Sequence, residues 1–419
     1  MLSEISEISL ISSDVFAEEK KTRKTPALRE RVYSQLARAQ KLADEGQVEE
    51  GLAILNKIKG RQNQMNAYEV AMLWNFIGFI EYSRENVAEA IAAFENVIAQ
   101  EAIPESLEMS TLFSLAQLSM SLEEYSKTLS YLDRWESLAT DKTNRTSAFN
   151  LRANALYANK QYEDALSAID SAIAALKEDK LPEENWLVLK RALHYELKQS
   201  KQVAETTELL VKHYSKPKYW VELANLYGEL GEEDLHLAVL EAAYQQGYIE
   251  KSSDFQTLAQ LYFYSGAPFK AASLLEQEIA NKTIQPDLKI YTFLAQSWEA
   301  AQELPKAVVA LKDAIGLTND HALLQKVARI YIDMQRWSDA LEYANKAENI
   351  IEHVKNPGNI YVVKGIALLN LKRFEESISA FKLAREISET KRIASQWLKF
   401  AERESELYNS LKITEDISD

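Results

Sequence analysis

Five histidines, His194, His213, His236, His321 and His353, are the side chains best suited to ligate a metal or move a proton near neutral pH. A zinc site on a helix needs two of them one turn apart. No two stand at that spacing, so each reads as a surface or groove residue. Adjacent carboxylates such as Glu232 and Glu233 could divide acid and base roles only if their surroundings drove their protonation apart. At helix ends they read as solvated charge. Gly228 and Gly231 bound a turn, but no Gly-Lys-Ser or Gly-Lys-Thr follows to cradle a phosphate. No serine sits in a nucleophile elbow. Cysteine is absent, which removes disulfides, thiolate metal sites and thiol nucleophiles. The chain therefore reads as non-enzymatic, with no cofactor, no metal site and no small-molecule substrate.

Recognition is the chemistry that remains, and charge narrows it. A formal net charge of −15 opposes gripping phosphate backbones, which argues against nucleic acid, and suits polypeptide partners. The best apolar run, Ala71 to Ile80, is ten residues long and interrupted by Asn75, too short to cross a bilayer. Whatever positions a binding side chain must be a helix. Only 11 Gly and 8 Pro occur in 419 residues, while the strong helix formers Ala, Leu, Glu, Lys and Gln dominate.

One pattern recurs along the chain. Trp74 precedes Gly78 by four residues, with Ala90 and Phe94 following; near the other end Tyr361 precedes Gly365, with Phe374, Phe381 and Ala384 following. In that register a small position falls at Ala39, Gly78, Ala116, Ala153, Lys190, Ala224, Ala259, Ala295, Ala328 and Gly365. A small side chain there lets a second helix cross closely. Units begin near 32, 71, 109, 146, 183, 217, 252, 288, 321 and 358. Turn signals at Asp44 to Gln47, Gly228 to Gly231 and Ser265 to Pro268 lie between paired helices. The fifth unit is the weakest, with Lys190 at the small position and Gln202 where Ala is usual. The pattern resembles the tetratricopeptide repeat (TPR). The resemblance implies an all-α fold: a right-handed α-solenoid of about ten helix-turn-helix repeats over residues 25–385. Residues 386–412 then read as a capping helix over the last repeat, and 413–419 as an acidic tail.

In TPR proteins the first helix of each unit lines a concave, polypeptide-binding groove. Directly after the small position stand Gln40, Phe79, Gln117, Asn154, Arg191, Asn225, Gln260, Gln296, Arg329 and Ile366. From Gln117 to Arg329 this column is amide or Arg throughout, and one turn earlier come Asn75, Asn150, Gln256, Thr292 and Gln325. Amides donate and accept at once, so a ladder of them can hold an extended peptide backbone. The same residues could instead link adjacent helices. Phe79, Tyr82 and Phe113 form a second candidate, either an anchoring pocket or core packing. Lys218 with Asn225, or Arg191 nearby, is only a fragment of the basic clamp of chaperone-binding TPRs.

The runs at 21–44 (KTRKTPALRERVYSQLARAQKLAD), 65–82 and 103–120 resemble the periplasmic TPR proteins that accompany some TonB energy-transduction systems. That resemblance implies a periplasmic scaffold, with TonB, ExbB or ExbD homologues as partners; the alternative is a cytoplasmic TPR adaptor or co-chaperone. Residues 1–24 read as a leader, with a signal-peptidase-like junction after Ala17, although the preceding stretch lacks a basic start and carries Glu4, Glu7 and Asp14. The first helix is expected to open at Thr25-Pro26, a good N-cap followed by a favoured first helical residue.

Overall fold

The computed structural model describes residues 25–140, 142–177, 180–318, 320–350 and 357–418, with side chains as far as Ser410. The expected leader and its junction at Ala17 lie outside the described residues, as does His353. Among the described residues the chain is all-α, an α-solenoid of successive helical hairpins. It divides into two compact units, Met1–Tyr214 and Ser215–Asp419.

The first unit holds five hairpins. They are α1 (Glu30–Asp44) with α2 (Val48–Lys59), α3 (Ala67–Ser83) with α4 (Val87–Ile98), and α5 (Glu105–Ser121) with α6 (Tyr125–Leu138). Next come α7 (Thr146–Ala158) with α8 (Tyr162–Ala174), and α9 (Glu184–Glu196) with α10 (Ser200–Tyr214). The second unit holds five more. They are α11 (Pro217–Glu229) with α12 (Glu233–Gln245), α13 (Ser252–Tyr264) with α14 (Pro268–Ala280), and α15 (Leu288–Ala300) with α16 (Leu304–Leu317). Then follow α17 (His321–Asp333) with α18 (Trp337–Glu348), α19 (Gly358–Asn370) with α20 (Phe374–Arg385), and α21 (Lys391–Ser418) packed on α20.

Each hairpin turns through one residue in the left-handed region. Three of these are glycines, Gly46, Gly231 and Gly266, as the turn signals suggested. The others are Glu85, Glu123, Lys160, Lys198, Gln302, Gln335 and Lys372, which tolerate a conformation that costs an ordinary L-residue about 1–2 kcal/mol.

The hairpin crossings explain the small column. A Cβ placed on Gly78 would lie 2.6 Å from the Phe94 ring, and one on Gly365 would lie 2.6 Å from Phe381. Both rings stand sixteen residues after their glycine. Where the small residue is Ala39, Ala116, Ala153, Ala224, Ala259 or Ala295, the residue sixteen on is Leu or Ile, and all are buried. In these hairpins the two helices pair large against small, and interior packing tolerates little change in the shared volume. At Ala328 the partner is buried Ala344, small against small.

The fifth hairpin corrects the sequence register. Its left-handed turn residue, Lys198, follows Arg191 by seven places, the spacing that separates Ala259 from Gly266 and Ala295 from Gln302. Arg191, not Lys190, therefore occupies the crossing position, and buried Thr207 stands sixteen residues on. Neither basic residue carries the small-residue signal, so the slip was invisible in the sequence. The column of amides and arginines is broken here, because Ala192 follows the crossing.

Helix starts differ from expectation at three places in the first unit. The stretch Thr25–Arg29 is not helical, and α1 opens at Glu30. Arg29 is held extended because its backbone N–H and its guanidinium both bond Glu69, while Asn66 donates to the Ala27 carbonyl at 3.0 Å. Helices α3 and α5 begin four residues before the expected 71 and 109. At the C-terminal end the cap begins at Lys391 rather than 386, and the helix continues through the expected tail to Ser418. Trp397 of α21 stacks on Phe381 at 6.0 Å, and Ala394, Leu398 and Ala401 are buried.

Gly78→Ala is expected to lower unfolding stability by about 1–3 kcal/mol, because Phe94 is buried and its ring must shift. Adding Phe94→Leu, the pairing of other hairpins, should recover most of that loss in urea denaturation. A separate test concerns the turns: Gln302→Gly should raise the unfolding free energy and Gly266→Ala should lower it, each by about 1 kcal/mol in urea denaturation.

Candidate peptide-binding groove

All fourteen candidate residues lie on first helices of hairpins, but only some are brought together. In the second unit, α14 packs on both α13 and α15, leaving an open cavity of about 760 Å³ between those two first helices. Gln256, Gln260 and Gln296 all line it. Its walls are two helical stripes at i, i+4 and i+8: Gln256, Gln260 and Tyr264 on α13, and Leu288, Thr292 and Gln296 on α15. Buried Leu275 and Ile290 form part of its lining.

Several bonds fix this geometry. The Asp287 carboxylate accepts from the Ile290 backbone N–H at 2.8 Å, capping α15 at its first turn. On the far side of α13, Tyr262 is buried beside Glu241, which also accepts from Lys270 at 2.9 Å. Burial and the bond to Glu241 push the Tyr262 phenol well up, so it stays protonated. The Lys270 bond, followed by Tyr262's, holds the Glu241 carboxyl below its ordinary range against the opposing effect of burial. Phe263 meets Phe293 edge-on at 5.4 Å and Tyr264 at 5.6 Å, an aromatic cluster at one end of the cavity.

The amides divide by what they already do. Gln256 donates to Ser252 Oγ at 3.0 Å, leaving its carbonyl oxygen to accept. Gln260 and Gln296 are exposed, and among the described residues their side chains make no hydrogen bond, so each offers a donor and an acceptor. Side chains at i and i+4 on a helix are about 6 Å apart. Backbone groups facing one side of an extended peptide recur every ~6.8 Å, so Gln256 and Gln260 match that repeat. Tyr264 (80% exposed), Leu288 and Phe293 were missed in the sequence. The signal that could have found Tyr264 is its place four residues beyond Gln260.

The remaining candidates are placed elsewhere. Asn154 donates to the Asn150 carbonyl and side-chain oxygens at 2.8 and 3.2 Å, so its NH2 group is already engaged within α7. Arg329 and Lys326 both bond Glu299, the Lys326 contact being 2.9 Å; this ties α17 to α15. Burial pushes the Glu299 carboxyl up, and the two cations pull it further down, below its ordinary range. Asn225 and Gln117 are exposed, while Asn75 and Gln325 are half-buried. Phe113 packs on Trp135 at 6.5 Å in the core between α5 and α6, whereas Phe79 and Tyr82 remain exposed, with Phe79 edge-on to Phe94 at 5.3 Å.

Two histidines differ from the surface role expected of them. His194 is buried, with Nδ1 2.7 Å from Gln199 Oε1, and His236 lies under Gly228, where burial lowers its pKa. Among the described residues no three His, Asp or Glu side chains converge as a metal site, and no helix is long and apolar enough to cross a membrane.

No protein-family model matches the chain, and no curated protein sequence does. Among solved structures it is similar to the TPR2AB-domain:pHSP90-complex of yeast Sti1, at 18% identity and TM-score 0.35, covering 62% of this chain and 98% of that one. It is similar to YrrB, described as a TPR protein with an unusual peptide-binding site, at 14% identity and TM-score 0.36, covering 46% and 97%. A third likeness is to Naa15/Naa10 bound to HypK-THB, at 15% identity and TM-score 0.42, covering 90% and 61%. Likenesses this distant say nothing about what the chain binds.

Three buried carboxylates, Glu69, Glu108 and Glu278, escaped the sequence reading altogether. Glu69 is fully buried and receives Arg29 Nε and Nη2 at 2.6 Å each, together with the Asn66 and Arg29 backbone N–H groups. Glu108 is bonded by Arg134 at 2.6 and 2.9 Å, and Arg134 also donates to the Ile98 carbonyl. The Arg29 guanidinium, outweighing burial, holds the Glu69 carboxyl below the usual 4.5. A carboxyl with a depressed pKa adds stability above its unfolded value, and that stability is lost as pH falls through the folded value. Arg29→Gln should therefore lower the melting temperature by roughly 2–4 °C at neutral pH. The gap from the parent protein should close on acidification below about pH 4.5, as Glu69 protonates in both, which thermal melts across pH will read.

Proposed function

We propose that the protein is a non-enzymatic scaffold that holds an extended polypeptide in the groove between α13 and α15. The observation that carries this reading is the pair of opposed stripes, with unengaged Gln260 and Gln296 facing an open cavity beside exposed Tyr264. Amides without charge grip a backbone without selecting its sequence, while an exposed tyrosine and leucine supply apolar area for alternate side chains. The wording of residues 21–44, 65–82 and 103–120 supports a setting for this scaffold: an accessory of a TonB-type uptake-energising system in the periplasm, gripping an extended segment of an inner-membrane component.

A photo-crosslinking residue at Tyr264 in intact cells tests both parts. The expected product is a membrane-anchored TonB, ExbB or ExbD homologue. Capture of cytosolic chaperones alone would sink the periplasmic setting and support a cytoplasmic adaptor. With the captured segment as a labelled peptide, Gln260→Ala with Gln296→Ala should weaken binding by roughly tenfold or more, at about 1 kcal/mol per lost hydrogen bond. The melting temperature should hardly change, since both side chains are exposed. Unchanged affinity would rule out the groove.

A further inference from the structure

The first hairpin carries a second recess, unlike the groove in charge. Helices α1 and α2 and the turn after them enclose about 340 Å³, and Arg31, Arg38, Lys57 and Arg61 stand around it. All four are exposed, and among the described residues none of their side chains makes an ion pair or hydrogen bond. Arg29 also borders the recess, but its guanidinium is committed to Glu69 and serves as wall. Four unpaired cations in one place are out of keeping with a chain of net charge −15.

Helix electrostatics do not account for them all. Lys57 lies in the last turn of α2, where a cation complements the helix dipole. Arg31 lies in the first turn of α1, where the dipole opposes a cation. Arg31 and Arg38 are seven apart and share one face of α1, while Lys57 and Arg61 are four apart at the end of α2. Between these edges the floor carries Val32, Ile54, Met65 and buried Ile58, with Gln35 and Gln64 as the uncharged polar residues of the lining.

We infer that this recess binds an acidic polypeptide segment that places an apolar side chain on Val32, Ile54 and Ile58 and its carboxylates on the surrounding cations. Three of the four cations are arginines, whose planar fork matches a carboxylate in two parallel bonds. An apolar floor is of no use to a free inorganic anion. Among the described residues no aromatic side chain lines the recess to stack a nucleobase. An anionic bilayer is disfavoured, because the site is concave and the chain as a whole is acidic. This ligand differs from the backbone held between α13 and α15, and either site can fail without the other.

The full chain is titrated with a fluorescent peptide of alternating glutamate and leucine. Parallel arms use its glutamine-for-glutamate analogue, inorganic phosphate, and vesicles containing phosphatidylglycerol. The Glu/Leu peptide should bind, weaken as salt rises, and lose roughly tenfold or more in affinity in Arg38→Glu with Arg61→Glu. Circular dichroism and melting should be unchanged in that variant, and Gln260→Ala with Gln296→Ala should bind the peptide normally. Equal binding of the glutamine analogue, indifference to the charge reversal, vesicle binding without peptide binding, or no binding by any probe would each overturn the proposal.

Discussion

The distance at which two helices of a hairpin cross is the constraint on which the rest depends. In eight of the ten hairpins a residue with little or no side chain on the first helix meets a bulky buried one sixteen places later; Ala328 instead meets Ala344, and Arg191 meets Thr207. Gly78 takes Phe94, Gly365 takes Phe381, and six of the alanines take leucine or isoleucine. Because the turn between them closes through one left-handed residue, the second helix returns in the same register each time. Fixing that crossing fixes which face of the first helix turns away from its partner. Gln256, Gln260 and Tyr264 are outward together for this reason, and so are Leu288, Thr292 and Gln296.

Ionic contacts act on a different scale, joining one hairpin to the next. Arg134 on α6 reaches both Glu108 on α5 and the Ile98 carbonyl at the end of α4, while Arg29 ahead of α1 reaches Glu69 at the start of α3. Burying a carboxylate is costly unless it is paired and its remaining lone pairs are met. At Glu69 they are, by the capping bond with Asn66 and by the Arg29 backbone. The early starts of α3 and α5 bring these carboxylates into the interior, giving the first unit a polar clasp that the apolar repeat does not supply.

What the sequence made legible follows from which constraints act on residue type. The crossing demands a small side chain, so nine of ten hairpins could be aligned, and the helix starts from residue 217 onward fall where that alignment places them. The turn demands only a left-handed backbone. Glycine advertises that, but Lys160 and Gln302 do not. At the fifth hairpin Lys190 and Arg191 are equally poor crossing residues, so type could not choose between them. Glu69 and Glu108 read as surface because glutamate usually is, and Glu69's partner is 40 residues away. The groove was half legible: its glutamines follow from the register, but that α13 and α15 stand apart while α14 bridges them is a property of packing.

The two recesses use opposite electrostatic strategies, and the charge of the chain gives that contrast meaning. At net −15, an acidic segment is repelled by most of the surface, so a basic recess with an apolar floor selects by local charge reversal, over roughly the ~8–10 Å that salt leaves unscreened. Uncharged amides are indifferent to that field. Glutamines between α13 and α15 can hold a peptide backbone whatever its side-chain charge, so selectivity there falls to the aromatic and aliphatic rim of Tyr264, Phe293 and Leu288. On the proposed reading, a scaffold with both chemistries would discriminate partners by charge at one recess and by shape at the other.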